Sequence, residues 1–156
     1  MASTICGWYD DVASYDNENT SNHHNHINYI YTKYGTMYTG IKWQCVEFVR
    51  RYLILRHRLT FESVKNVHDL KNIFQFWDIS TKTPVYISFH KTGNIEKNDI
   101  LMLDWENTGH VAIVSDIDRE KGLVYTVDQN MGKWDARTYS KVYRINSKQI
   151  IGWIRY

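Results

Sequence analysis

The helical and strand-like patterns of this sequence are separated along the chain and do not alternate, which restricts the folds open to it. The amphipathic run WQCVEFVRRYLILRH predicts a buried helix from Trp43 to about His57, with Val46, Val49 and Leu53 on one face. Strand-like segments fill the second half of the chain. Because helices come first and strands follow, we expect an α+β fold with helices packed on one face of an antiparallel sheet.

The second half contains strand-like segments that end in short polar stretches typical of hairpin turns. These segments are residues 100–105, 110–117, 123–130, 137–145 and 150–156. Their order and spacing predict an antiparallel meander.

The remaining segments have weaker patterns. Apolar residues at helical spacing predict a second helix from Ser63 to Trp77, with Ser63 as its N-cap. Residues 1–40 show no sustained period and are expected to form a mostly irregular arm with short extended pieces, in which Asn17–Asn28 is a flexible loop. With 156 residues, the chain is expected to form one domain, residues 1–156.

Charge and hydropathy exclude several classes of partner. Nineteen Lys and Arg against seventeen Asp and Glu give a net charge of +2, without a basic run, so nucleic acid is not expected. No segment reaches the roughly 18 apolar residues of a membrane span, and the N-terminus lacks a secretory leader pattern. An intracellular protein with two free thiols and no obligate protein partner is therefore expected.

Cys45 is the candidate nucleophile. It lies where a segment containing Gly40 becomes the first predicted helix, and a helix N-terminus favours a thiolate. The alternative is a small buried apolar residue, which is the common environment of a free cysteine. Cys6 has no such position and is treated as incidental.

His110 is the candidate base, since it opens a predicted strand directly after Gly109. If this strand forms a hairpin with 123–130, the residue numbers of two paired positions add up to 238 or 240. His110 then faces Asp128, or faces Asn130 and lies diagonal to Asp128. Either register places an acid or an amide beside the base, as in a catalytic triad. The alternative is that residues 128–130 only end a strand.

Four stretches together resemble a known family. They are WQCVEF within residues 40–53, TGHVAIV at 108–114, DQN at 128–130 and IIGW at 150–153. They are similar to the amidase domain of glutathionylspermidine synthetase/amidase, a member of the CHAP group of cysteine amidohydrolases and peptidases. The resemblance implies a papain-like fold with Cys45 as nucleophile, His110 as base and Asp128 as the orienting acid.

The same resemblance assigns residues around the nucleophile. It implies that Gln44, Arg50 and Asn130 serve the oxyanion and a substrate carboxylate. Gln44 can donate an amide N–H to an oxyanion, and Arg50 can clamp a carboxylate, although an ordinary solvated helix charge is the alternative for Arg50. The family has Glu where this chain has the shorter Asp128, so Asn130 is kept as a residue that shares the orienting role.

Other signals are discounted. His23, His24 and His26 lie in an Asn-rich stretch without ligands at site-like spacing, so no metal is predicted. The tripeptide KTG at 91–93 matches a short motif of β-lactamases, but the accompanying Ser-Asp-Asn motif is absent from the sequence, so a turn is expected. No cofactor is expected.

The implied reaction is hydrolysis of an amide C–N bond through a thioester, with a glutathionylspermidine-like conjugate as substrate. Synthesis is not expected, because the amidase-like pattern uses the whole chain. The alternatives are a CHAP-type peptidoglycan amidase or endopeptidase and a catalytically silent binding protein of the same fold.

Overall fold

The computed structural model describes residues 3–17, 26–105 and 108–156. The chain begins with two β-hairpins, β1 (Ile5–Tyr9) with β2 (Val12–Tyr15) and β3 (Ile27–Thr32) with β4 (Gly35–Ile41). The prediction of a mostly irregular arm over residues 1–40 is therefore wrong in its described part. Short strands joined by tight turns are poorly marked by period, because each has only a few residues to alternate. Most of the predicted flexible loop lies outside the described residues.

The first predicted helix is confirmed. Helix α1 (Cys45–Tyr52) continues into a π-helical turn, Leu53–His57, and ends at Arg58 in the left-handed conformation. Its apolar side chains pack on one face of a large antiparallel sheet, in a core that includes Phe48, Val49 and Met102. The α+β class therefore holds, although strands make up more of the chain than expected.

The second predicted helix is wrong. Residues Val67–Asn72 form a short 3₁₀ helix whose N-terminus is closed by a capping box between Asn66 and Asp69. The chain then enters strand β6 (Gln75–Asp78), which lies between the short strands β5 (Leu59–Thr60) and β7 (Pro84–Tyr86). The backbone hydrogen bonds of these neighbouring strands favour the extended form over a helix.

The large sheet has six strands in the order β12-β11-β10-β9-β13-β8. Its members are β8 (Ser88–His90), β9 (Ile100–Leu103), β10 (His110–Asp118), β11 (Leu123–Val127), β12 (Lys141–Arg144) and β13 (Ile150–Arg155).

The predicted meander is confirmed for β9 to β12 and fails for the last strand. Strand β13 pairs with β9 on one side and β8 on the other, so it lies inside the sheet. Strand β12 is shorter than predicted, because residues 135–140 close a tight loop through the backbone pair Ala136 and Tyr139. A second apolar cluster, which includes Leu101, Val114 and Trp153, forms apart from the core that α1 covers.

Candidate active site

Cys45 is the first residue of α1. Gln44 before it has an extended backbone, with φ −79° and ψ 160°, and accepts the first helical hydrogen bond from Phe48 N–H at 3.3 Å. The Cys45 side chain is a free thiol, 7% exposed, at the wall of a cleft. As the first residue of the helix, Cys45 is at the positive end of the helix dipole.

His110 is the first residue of β10 and is 3% exposed. Gly109 before it has φ +72°, a conformation that favours glycine. A Cβ at Gly109 would lie 3.2 Å from His68 Nε2 and 3.2 Å from Val67 Cβ. The glycine thus lets the chain pass tightly against the 3₁₀ helix and aims the next side chain into the cleft.

Asp128 follows the end of β11 and forms a buried pair with His110. The imidazole Nε2–H donates to Asp128 Oδ2 at 2.7 Å, and the two side chains are 4% and 1% exposed. Near the site, the numbers of paired residues add up to 240, as for Ile113 and Val127. This register puts Asp128 diagonal to His110. This is one of the two predicted registers. Toward the turn, a bulge at Ser115 shifts the register by one residue, so that paired numbers add up to 241. The sequence did not predict this bulge.

The surroundings of His110 favour its charged form. Burial alone would lower its pKa, but the hydrogen bond to Asp128, the hydrogen bond and charge of Cys45, and the charge of Asp128 together raise the pKa to about 10. Because Nε2 is bonded to Asp128, Nδ1 is the nitrogen left for the Cys45 sulfur. A charged imidazole beside a cysteine side chain is an arrangement that nucleophilic catalysis by cysteine uses.

The segment that contains Asp128 is held by the N-terminal part of the chain. Ser14 Oγ donates to the Asp128 carbonyl at 2.6 Å, and Tyr15 N–H donates to Gln129 Oε1 at 2.9 Å. Trp134 Nε1 donates to the same Asp128 carbonyl at 3.3 Å. Residues predicted to belong to an irregular arm thus contact the acid segment directly.

A buried network behind the nucleophile was missed at the sequence level. Glu47 is fully buried, and its Oε1 accepts from Arg51 Nε at 2.9 Å and from Thr39 Oγ1 at 2.8 Å. Gln129 Nε2 donates to Glu47 Oε2 at 2.8 Å and to the Gln44 carbonyl at 3.0 Å. Gln129 therefore ties the acid segment to the start of α1. The sequence signal of this network is the spacing of Glu47 and Arg51, four residues apart on the predicted helix.

Gln44 and Asn130 lie together at the cleft. Asn130 Nδ2 donates to Gln44 Oε1 at 3.0 Å, which leaves Gln44 Nε2 as a donor. Asn130 has φ +68°, a conformation that Asn tolerates better than most residues. Within the described parts of the chain, the Asn130 side chain bonds to Asn17 and Gln44 and does not bond to His110. The orienting contact to His110 thus comes from Asp128.

Arg50 borders the cleft but is 2% exposed, unlike a solvated helix charge. Its Nε, Nη1 and Nη2 donate to the carbonyls of Phe61, Thr39 and Glu62 at 3.2, 2.8 and 3.1 Å. The guanidinium also lies 4.2 Å from the centre of the Phe61 ring. These contacts tie β4 to the chain that follows the helix. A substrate carboxylate at Arg50 would have to bind the N–H groups that these three bonds do not use.

The cleft has a volume of about 920 Å³. Cys45 and His110 line it, and residues 63–69 and 71–72 form one wall, with Lys65 and Lys71 among them. Trp105, 39% exposed, stands at another edge. A second cavity of about 400 Å³ adjoins the cleft across Trp105, Asn130 and Met131.

No described helix has the length and apolar character needed to cross a membrane. Among the described residues, no group of three or more His, Cys, Asp or Glu side chains is placed to hold a metal ion. His26 belongs to these residues, whereas His23 and His24 lie outside them.

The chain matches the CHAP domain over residues 33–130, and it belongs to this family. CHAP domains are generally amidases or peptidases, so family membership indicates amide hydrolysis. The chain is also 27% identical over 121 residues to the trypanothione synthetase of Crithidia fasciculata. The aligned region covers 72% of this chain and 18% of that protein, so the chain spans less than a fifth of the relative's length.

Proposed function

We propose that the protein is an amide hydrolase in which Cys45 is the nucleophile, His110 the proton carrier and Asp128 the residue that orients and charges His110. The observation that supports this most directly is the buried 2.7 Å bond between His110 and Asp128 at the same cleft as a cysteine that opens a helix. A helix-start cysteine facing a strand histidine also supports a papain-like arrangement of the domain.

The proposed reaction has two halves. The Cys45 thiolate attacks the amide carbon, and the oxygen takes the negative charge while the Cys45 backbone N–H and Gln44 Nε2 donate to it. The C–N bond breaks as His110 Nδ1–H gives its proton to the departing amine. Water then loses a proton to His110 and attacks the thioester, which releases the carboxylic acid and restores the thiolate.

A glutathionylspermidine-like conjugate is the proposed substrate. The name of the relative contains trypanothione, in which glutathione is joined to spermidine through amide bonds. Lys65 and Lys71 on one wall of the cleft suit the carboxylate of a glutathionyl group. Asp16 and Trp105 line the adjoining cavity, and a carboxylate with an aromatic face suits a cationic amine.

The test compares two substrates with the purified protein. Release of glutathione and spermidine from glutathionylspermidine, followed by mass spectrometry, supports the proposal if it is lost in Cys45→Ala. Release of peptides from cell-wall sacculi, with no action on the conjugate, would instead favour a peptidoglycan hydrolase of the same family. Binding of the conjugate without turnover would favour a silent binding protein.

A further inference from the structure

We propose that Asn17 is a positioning residue which, through Asn130, fixes the side-chain amide of Gln44 with its N–H group toward the oxyanion. The inference rests on the proposed function, because it concerns how the oxyanion donor of that reaction is oriented. None of the sequence motifs assigned a role to Asn17.

Three side-chain amides form a chain of hydrogen bonds in which each amide donates to the next. Asn17 Nδ2 donates to Asn130 Oδ1 at 2.8 Å, and Asn130 Nδ2 donates to Gln44 Oε1 at 3.0 Å. Each amide has one donating and one accepting end. A donor from Asn17 therefore sets the orientation of Asn130, which in turn leaves Gln44 Nε2, a donor, as the free end.

Asn17 is the anchored member of this chain. It is 7% exposed, whereas Gln44 is partly exposed and Asn130 is exposed. Asn17 follows β2, whose last residue, Tyr15, is bonded to Gln129. Packing thus holds Asn17, while the other two amides depend on hydrogen bonds for their orientation.

The unused acceptor of Asn17 agrees with this role. Among the described residues, Asn17 Oδ1 is buried and has no hydrogen-bond partner. An unpaired buried acceptor is costly for the fold. Within the part of the chain that the structure describes, Asn17 therefore bonds through its donor end alone, as this role requires.

The direction of these hydrogen bonds matters because the oxyanion has to face an N–H donor of Gln44. If the Gln44 amide were reversed, its oxygen would face the developing negative charge. Loss of one oxyanion donor lowers kcat by about 10²–10³. Asn17 therefore influences turnover without touching the substrate.

Asn17→Asp and Asn17→Ala separate positioning from packing. A carboxylate at 17 only accepts, so Asn130 must turn to donate to it and then presents Oδ1 to Gln44. Gln44 in turn donates Nε2 to Asn130 and presents its oxygen to the oxyanion. We expect Asn17→Asp to lower kcat by about 10²-fold, the loss also expected for Gln44→Ala. Asn17→Ala, which imposes no direction, should lower it by about tenfold or less.

Two controls keep the comparison interpretable. Asn17→Asp in a Gln44→Ala background should cause no further loss, since a residue that acts only through Gln44 adds nothing once Gln44 is removed. Asn146→Asp makes the same chemical change at an exposed position and should leave kcat unchanged. Thermal unfolding of each variant confirms that the compared proteins are folded.

A second readout does not depend on the amide substrate. N-acetylglycinal forms a hemithioacetal with a catalytic thiol, and its oxygen occupies the oxyanion position. Its Kd, measured from protection of Cys45 against iodoacetamide, should rise in the same order as kcat falls. If this order holds while glutathionylspermidine is not cleaved, the proposed substrate is wrong and the role of Asn17 stands. The inference is overturned if Asn17→Ala impairs the protein more than Asn17→Asp, or if the loss persists in the Gln44→Ala background.

Discussion

Replacing Asp128 by Asn tests the charge of the acid and leaves its size almost unchanged. In the native site His110 Nε2–H donates to Asp128 Oδ2 at 2.7 Å, with both side chains buried. An amide can accept the same bond but cannot stabilise the imidazolium by charge. It can also offer its own N–H to Nε2, which would select the wrong tautomer.

The expected loss follows from the pKa of His110, which lies at about 10 against 6.5 for a free imidazole. This difference corresponds to roughly 5 kcal/mol in favour of the charged form. The hydrogen bond to Asp128 is the largest of the contributions that raise this pKa, so loss of the carboxylate removes a large share of the stabilisation. Together with the tautomer effect, kcat should fall by about 10²–10⁴.

The assay is kcat/KM for amine release between pH 6 and pH 10.5. Wild-type activity should fall at high pH as His110 loses the proton that it must give to the leaving amine. In Asp128→Asn this fall should move to lower pH, because the main cause of the raised pKa is gone. Asn130→Ala, which does not remove a contact to His110, should lower activity less and leave the alkaline midpoint in place.

Unfolding gives an independent measure of the same pair. A raised native pKa stabilises the fold fully below pH 6.5, and this contribution is lost as the pH rises through about 10. The stability of wild type relative to Asp128→Asn should therefore decline between these values. A variant with kcat within threefold of wild type and an unchanged alkaline midpoint would refute the assignment of Asp128. A severe loss in Asn130→Ala beside a mild one in Asp128→Asn would indicate a Cys–His–Asn site.

Four further predictions follow from the same contacts. Cys45→Ala should abolish amide hydrolysis while Cys6→Ala retains it, and equal loss of amine release in both would contradict the nucleophile. Iodoacetamide near neutral pH should label Cys45 before Cys6, because the first thiol faces an imidazolium, and peptide mapping by mass spectrometry would reveal the opposite order. Glu47→Ala should lower the free energy of unfolding by about 3–5 kcal/mol, since the buried charge of Arg51 loses its carboxylate partner. A loss under 1 kcal/mol in urea would be inconsistent with that network. Gly109→Ala should cost at least about 1–3 kcal/mol through its left-handed backbone and lower kcat, whereas an unchanged melting temperature would mean that the turn adapts.

The parts of the site that could be predicted depend on local position. Cys45 at a helix start and His110 at a strand start are visible because each follows a change of pattern along the chain. The period of two in a strand left two registers, with Asp128 opposite or diagonal to His110, and both place Asp128 on the same face as His110. The bulge at Ser115 does not alter the register at the site end of the hairpin.

The parts that could not be predicted depend on distant neighbours. Phe74 and Trp77 fit a helical stripe, yet they are 69% and 40% exposed, and Phe76 between them is fully buried. A short apolar run fits both periods, and here the pairing of β6 with β5 and β7 decides between them. The burial of Glu47 could not be predicted for a related reason, because groups that satisfy it, such as Gln129, lie far away in sequence.

The contacts between residues 14–17 and residues 128–130 also affect the chain while it is being made. Cys45 leaves the ribosome before the segment that contains Asp128, and at about 5–20 residues per second the delay is on the order of ten seconds. During that time Asp128 is not present to orient His110, and Gln129 does not yet anchor the start of α1. A nascent chain should therefore be inert toward cellular amides until its two distant segments have met.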